Sequence, residues 1–318
     1  MRLNLCARGP ILAGLVAALA AQTGNSSAAT HAYKGMCDAS AAVGLPGDRF
    51  VVANDEDNIL RIYRRGSADK PTELPLTFLN APEEADIEGA ARIGDLIYWI
   101  TSHGQNRKAK DKPSRLRLFT TRLTSQGGAP VLTEGPGKPF TDLRPLLFAD
   151  KFKALGLEAA AKLAPEEGGL NIEGLAVAPD GKNLLIGLRS PVTKDGALVI
   201  TLDISGGLDK PVVKDPLRLK LGPGVGVRSL ERVGKDYRIV AGPAGNTGAF
   251  RLYRWAGPPA TAVTAMSVLP LRPEALFVSD TGTLEILSDD GDEPVGSGVC
   301  KDAPADARTF RGTTIKDK

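Results

Sequence analysis

The sequence predicts an all-β protein, a β-propeller of five blades, with six as the alternative and a short helical insertion after blade two. Three observations predict it. A two-strand unit with a Gly/Asp/Pro turn recurs five times. The copies stand about 45 to 56 residues apart, the period of propeller blades, apart from one longer step. Two cysteines flank the repeats and could staple a ring between its ends.

The first copy runs Asp38 to Val43, turns at Leu45 to Asp48 and returns as Arg49 to Asn54. The second is Asp86-Ile87-Glu88-Gly89 to Ile93, a turn at Gly94-Asp95, and Leu96 to Ser102. The third is Asn171-Ile172-Glu173-Gly174 to Ala178, Pro179 to Lys182, and Asn183 to Arg189. The fourth pairs Val227–Val233 with Tyr237–Ala241, and the fifth Pro273–Val278 with Thr283–Ser288. Gly and Asp tolerate the positive φ of tight hairpin turns, so each copy reads as a hairpin. Third strands are expected at Ile59–Arg64, Leu116–Leu123, Ala197–Asp203 and Ala249–Trp255. Fourth strands are expected at Thr72–Phe78, Pro211–Leu219 and Thr261–Leu269. The last copy has no obvious outer strand, and Thr30 to Met36 could supply it.

The step from copy two to copy three is longer. Residues 136–168 read as a helical insertion, with a helix over Asp150 to Leu163 whose Phe152, Leu155, Ala159 and Leu163 share one face. A degenerate sixth blade is the alternative.

The N-terminus bounds the compartment. Arg2, Arg8 and the apolar run Ile11 to Ala20 make residues 1–20 a secretory signal peptide. Residues 21–32 read as a flexible leader and 33–312 as the propeller, which would be secreted or periplasmic. Removing residues 1–20 takes away two arginines and no acid, so the formal charge falls from +3 to +1. That balance leaves no nucleic-acid footprint. No later apolar stretch could span a membrane. One cysteine pair, Cys37 and Cys300, reads as a disulfide in an exported chain.

Stacking the copies on their first strand gives one column: Asp38, Glu88, Glu173, Arg228 and Glu274. In a propeller these residues would ring one mouth of the central channel. The second strands end on the same face, at Asn54, Ser102-His103, Arg189 and Ser288-Asp289. Crowded carboxylates need a compensating cation or a raised pKa. Asp38, Glu88, Glu173 and Glu274 are therefore candidate ligands for a hard ion such as Ca²⁺. Glu88, Glu173 and His103 are candidate catalytic groups. Arg189, Arg228, Arg272, Asn54 and Ser102 are candidate substrate contacts, the arginines as forks for an anion. The basic loop Arg107 to Arg115 would favour an anionic substrate if it leans over the mouth. A structural role accounts for the same column equally: acids capping neighbouring strands and pairing with Arg228 and Arg272.

His103 is the only histidine inside the domain, which excludes a histidine-rich metal site. No Gly-x-Ser-x-Gly elbow exists. Gly222 to Gly226 opens no helix and is not a nucleotide loop.

Asp86-Ile-Glu-Gly-Ala and Asn171-Ile-Glu-Gly-Leu-Ala resemble the acid-x-Glu-Gly-hydrophobic signature of phytase-like and esterase-like bacterial propellers. Cys37-Asp-Ala-Ser40, Trp99-Ile-Thr-Ser-His-Gly104 and Asn171 to Ala176 more closely resemble an uncharacterised bacterial family, domain of unknown function thirty-six-sixteen. The phytase-like resemblance implies Glu88 and Glu173 as site residues. Arg228-Ser229, where Glu-Gly stands elsewhere, departs from it. The reading is a monomeric hydrolase of a small phosphate or carboxylic ester, assisted by a metal. The alternative is a non-catalytic binding propeller of the cell envelope.

Overall fold

The computed structural model describes Met1 and residues 29–194, 196–245 and 247–317. The segment read as a signal peptide, and most of the leader, lies outside the described residues.

Five antiparallel blades, four of them four-stranded and the third with a split outer edge, form a closed ring. Blade one is Ala41–Leu45, Arg49–Ala53, Ile59–Arg64 and Thr72–Pro75. Blade two is Ile87–Ile93, Leu96–Thr101, Leu118–Gln126 and Ala129–Glu134. Blade three is Asn171–Val177, Leu184–Ser190 and Ala197–Asp203, its outer edge shared by Val212–Val213 and Leu217–Leu219. Blade four is Val225–Val233, Asp236–Pro243, Arg251–Trp255 and Val263–Val268. In each blade the first strand is innermost. The five innermost strands pack side by side, and the last, Pro273–Val278, packs back onto the first, Ala41–Leu45. Among the described residues there is no sixth blade.

Blade five closes the ring by a strand exchange between the chain ends. Its order is Pro273–Val278, Leu284–Ser288, Thr309–Ile315 and then Thr30–Lys34. The N-terminal strand is outermost, where the sequence places it. It begins inside the segment read as leader, and the final strand runs past residue 312. The third strand of this blade was not foreseen, because a small hairpin and the Cys300–Asp302 turn separate it from Ser288. The outer strand of blade two, Ala129–Glu134, was also not foreseen. Tyr33, Phe50, Tyr63, Phe277 and Phe310 fill the joint between blades five and one. Tyr33 stacks on Phe310 at 5.1 Å and Phe50 on Phe277 at 5.0 Å. The Cys37–Cys300 disulfide spans 263 residues beside this joint. A staple of that kind contributes about 2–4 kcal/mol.

The insertion is helical but broken. Leu143–Leu147 and Leu157–Ala160 are short α-helices, and Asp150–Leu155 is a 3₁₀ turn. The single helix expected over 150–163 fails at Gly156, whose φ of 70° ends one turn before the next starts. Phe152 is buried, but Ala159 and Leu163 face solvent. Leu157, Ala160 and Ala161 pack on blades two and three instead.

No helix among the described residues is long and apolar enough to cross a membrane.

Candidate functional site

The column residues reach the channel through a shared irregularity. In blades two to five the pairing of the innermost strand with its neighbour slips by one residue at Glu88, Glu173, Arg228 and Glu274. Each is the extra residue of a β-bulge, which turns a side chain out of strict alternation. The next position must be small, because successive innermost strands approach closely there. A Cβ on Gly89 would stand 2.9 Å from Leu175 Cβ, and one on Gly174 would stand 2.9 Å from Val227 Cγ1. Ser229 and Ala275 occupy the position in blades four and five. The Glu-Gly pair is thus a bulge followed by a packing constraint. Blade one reaches the ring differently: Asp38 precedes its first strand and bridges to Asp289.

All five column residues are buried, between 2% and 9% exposed. Arg228 lies at the centre of one group. Its Nε is 2.9 Å from Glu173 Oε2, and its Nη2 pairs with Glu274 Oε1. Arg189 Nη1 holds the other Glu173 oxygen at 2.9 Å, and Asn171 Nδ2 donates to that same oxygen at 3.0 Å. Burial pushes Arg228 below its usual range. A second group is built around Arg115, which pairs with Asp86 and Glu84 at 2.8 Å each.

Glu88 stands apart from both groups. Among the described residues nothing hydrogen-bonds or ion-pairs with its carboxyl. Burial, then repulsion from Glu173, Asp86 and Asp55, pushes it well above the usual carboxylate range. Burial, then Asp38, Asp86 and Asp289, does the same to Asp55. Burial, then the contact with Asp289, pushes Asp38 up to about 8. Asp86 is also raised by burial, against the opposing effect of Arg115.

Two lobes open at this mouth, of about 450 Å³ and about 520 Å³, sharing Asp55, Glu56, Arg107 and Glu166. The first is lined by Asp38, Asp289, Arg272 and Lys301 among others. The second contains Asp86, Glu88, Asn171, Arg115 and Arg189, with Lys108, Lys110 and Lys112 at its rim. The basic loop therefore does lean over the mouth. The insertion supplies the opposite wall through Pro165 and Glu166, and Arg107 reaches Glu166 at 3.8 Å. A third cavity, of about 290 Å³, marks the other end of the channel, where Glu231 lies among Gly44, Ala91, Ala176 and Val278.

Of the sequence candidates, Asp38, Glu88, Arg189 and Arg272 line the lobes. Glu173, Arg228 and Glu274 sit beneath them as an ion-paired base. The four acids assigned to a cation are dispersed: Glu173 and Glu274 hold Arg228, while Asp38 holds Asp289. Among the described residues no three His, Cys, Asp or Glu side chains are grouped as metal ligands. Asn54 folds its own loop, its Oδ1 accepting from the Glu56 N–H at 2.9 Å. Ser102 is buried, accepts from the Gly104 N–H and bonds Asp86. His103 is fully buried at a φ of 53° and lines neither lobe. Its Nδ1 lies 2.8 Å from the Thr101 carbonyl, and burial pushes it down to about 4. Asp55, Asp86 and Arg115 were not singled out as site residues from the sequence. The same-face residue two before each column position was the available signal for Asp86.

The raised carboxyls set a pH dependence. A carboxyl whose pKa is raised on folding keeps its proton in the native state after the unfolded chain has lost it. Its stabilisation is complete below the unfolded value, 3.8 for Asp38, and is lost as pH rises towards about 8. Each retained proton contributes about 1.4 kcal/mol per pH unit within that window. Asp180 and Asp203, whose pKa values are lowered, act only below this range, while buried His103, pushed down to about 4, opposes the trend up to its unfolded value of 6.5. Thermal unfolding followed by circular dichroism should show Tm falling between pH 6.5 and 8, above the range in which His103 opposes it. Asp38→Asn should flatten the slope. A wild-type Tm that does not change over this interval would contradict the assignment.

Fold and site together define a five-bladed propeller whose channel mouth carries carboxyls that burial pushes above their usual range, over an arginine-paired base. The chain belongs to the family described as protein of unknown function (DUF3616), whose profile matches residues 38–127 and 137–278. No protein of curated function matches the sequence. Among solved structures it is similar to the glutaminyl cyclase of Myxococcus xanthus, at 12% identity over 91% of this chain and 96% of that one, with a TM-score of 0.43. It is similar to a luciferin-regenerating enzyme at 7% identity, 91% and 96% coverage and a TM-score of 0.43. A Trypanosoma rangeli sialidase is 11% identical over 80% of this chain and 43% of that one, again at 0.43. Overlays at this level bear on no activity.

Proposed function

We propose that the protein is an exported hydrolase of a small anionic ester, phosphate or carboxylic, cleaved in the larger lobe of the channel mouth. The observation that carries this reading is the contrast between two carboxyls lining one cavity. Glu88 is buried, unpaired and pushed towards its protonated form. Asp86, two residues earlier, is ion-paired to Arg115. Burial raises both, but the ion pair with Arg115 opposes the rise at Asp86 while Glu88 has no such partner, which assigns Glu88 as the acid and Asp86 as the base.

In this reading a water attacks the ester carbon or phosphorus and loses its proton to Asp86. The bond to the alcohol oxygen breaks, and Glu88 protonates that oxygen as it leaves. Loss of the proton from Asp86 and return of one to Glu88 from solvent reset the site, so ester and water become acid and alcohol. Lys108 and Lys110, exposed at the rim, draw in the anion. No step is routed through Ca²⁺, because its candidate ligands are not grouped. Export rests on the N-terminal sequence and on the disulfide, a bond that persists in oxidising compartments.

The test is hydrolysis of alkyl phosphates, followed by phosphate release, and of methyl esters, followed by pH-stat. Both are run with added CaCl₂ and with a chelator. Turnover that declines as pH rises through the Glu88 pKa and ignores the chelator is expected. Lys108→Glu/Lys110→Glu should lower kcat/KM on the phosphate about tenfold at low salt, and less at high salt. Turnover abolished by chelator would move the acids to ion binding. Absence of turnover on every substrate would leave a binding propeller.

A further inference from the structure

Asn171 is 4% exposed, lines the larger lobe with Glu88 and Asp86, and belongs to neither catalytic role above. Its orientation is dictated by its neighbours. Nδ2 donates to Glu173 Oε1 at 3.0 Å, and that carboxylate is clamped by Arg189 and Arg228 at 2.9 Å each. A carboxylate held by two guanidiniums only accepts hydrogen bonds, so it selects the amide nitrogen. The other amide atom, Oδ1, is shielded and makes no hydrogen bond with the described residues. A buried acceptor left without a partner is costly, and a site that offers one discriminates strongly for ligands carrying a donor. Blade symmetry sharpens the point. Asn171-Ile-Glu173 and Asp86-Ile-Glu88 occupy equivalent places in adjacent blades, yet Asp86 is satisfied by Arg115 while Asn171 Oδ1 is not.

We propose that Asn171 is a specificity-determining residue. Its Oδ1 accepts a hydrogen bond from a hydroxyl on the substrate, close to the scissile ester. The substrates are then esters of hydroxylated compounds: polyol phosphates or hydroxy-acid esters. This deepens the hydrolase reading and rests on it for the word substrate, but recognition can be measured without turnover.

The experiment compares matched pairs that differ by hydroxyl groups: glycerol 2-phosphate with isopropyl phosphate, and methyl lactate with methyl propanoate. Binding is measured by calorimetry and turnover by product release, for wild type and Asn171→Leu. Asn171→Ala is a second variant should leucine disturb folding, and unfolding curves are taken for each. Wild type is expected to prefer the hydroxylated member of one pair at least tenfold. Substitution of Asn171 should level that preference, whatever its effect on stability. A merely structural asparagine would lower both members together and leave the ratio alone. Preference in binding without turnover would support Asn171 as a reader while ending the hydrolase reading. Equal turnover within both pairs would overturn the proposal and leave the hydrolase standing. Absence of both binding and turnover would overturn both.

Discussion

Glu88→Gln is expected to lower hydrolysis of an alkyl ester by about 10²- to 10⁴-fold while leaving the fold as stable as before, or more so at pH 8. Glutamine matches a protonated carboxyl in shape and hydrogen-bonding capacity but has no proton to give. Glu88 is 8% exposed and unpaired among the described residues, and carboxylates surround it. Ionising it at high pH costs the native state, so a neutral replacement removes a destabilising charge. A surface or ion-paired glutamate would behave in the opposite way. The leaving group provides a second check. A p-nitrophenyl ester departs without protonation, so its rate should fall far less than that of an alkyl ester. Equal losses on both substrates would mean that Glu88 acts through structure and not as an acid. Unchanged rates on both would remove it from the chemistry.

Arg228→Met is expected to destabilise the protein by about 3–5 kcal/mol. Arg228 is 3% exposed and neutralises Glu173 and Glu274, which are 2% and 9% exposed. Its guanidinium also lies 5.5 Å from the centre of the Phe250 ring. Methionine fills much of the volume and leaves the two carboxylates behind. Glu173 keeps Arg189, so Glu274 is left the less compensated of the two. Arg228→Met/Glu274→Gln should therefore recover more than half of the loss, a coupling that urea unfolding of the two single variants and the double would measure. A loss below about 1 kcal/mol in Arg228→Met would show that the triad is not a structural base for the mouth.

The repeat was legible because hairpins and propeller blades are local devices. Alternating apolar residues and Gly/Asp turns act over ten to fifteen residues, and recurrence then implies a ring. The closing strand at Thr30–Lys34 was legible for a related reason: a ring of near-identical blades leaves one outer position to be filled by a chain end. Thr309–Ile315 was not, since nothing in the hairpin near Pro294 and Val299 announces a return to the same sheet. The helix expected over 150–163 shows the limit of periodicity, which registers a favourable face but not the single glycine that breaks the backbone.

The amino-acid sequence alone determined the repeated hairpin, the ring, the cysteine staple and the membership of one column by Asp38, Glu88, Glu173, Arg228 and Glu274. It could not separate Glu88 from Glu173, which stand in the same local string, Ile-Glu-Gly. Tertiary structure separated them. Arg189 and Arg228, from the second strand of blade three and the first of blade four, reach Glu173 and leave Glu88 without a partner. The division of roles depends on the two guanidiniums that hold Glu173, each 2.9 Å away in space but 16 (Arg189) and 55 (Arg228) positions away in the chain. Such distances are set by packing between blades, and no local pattern encodes them.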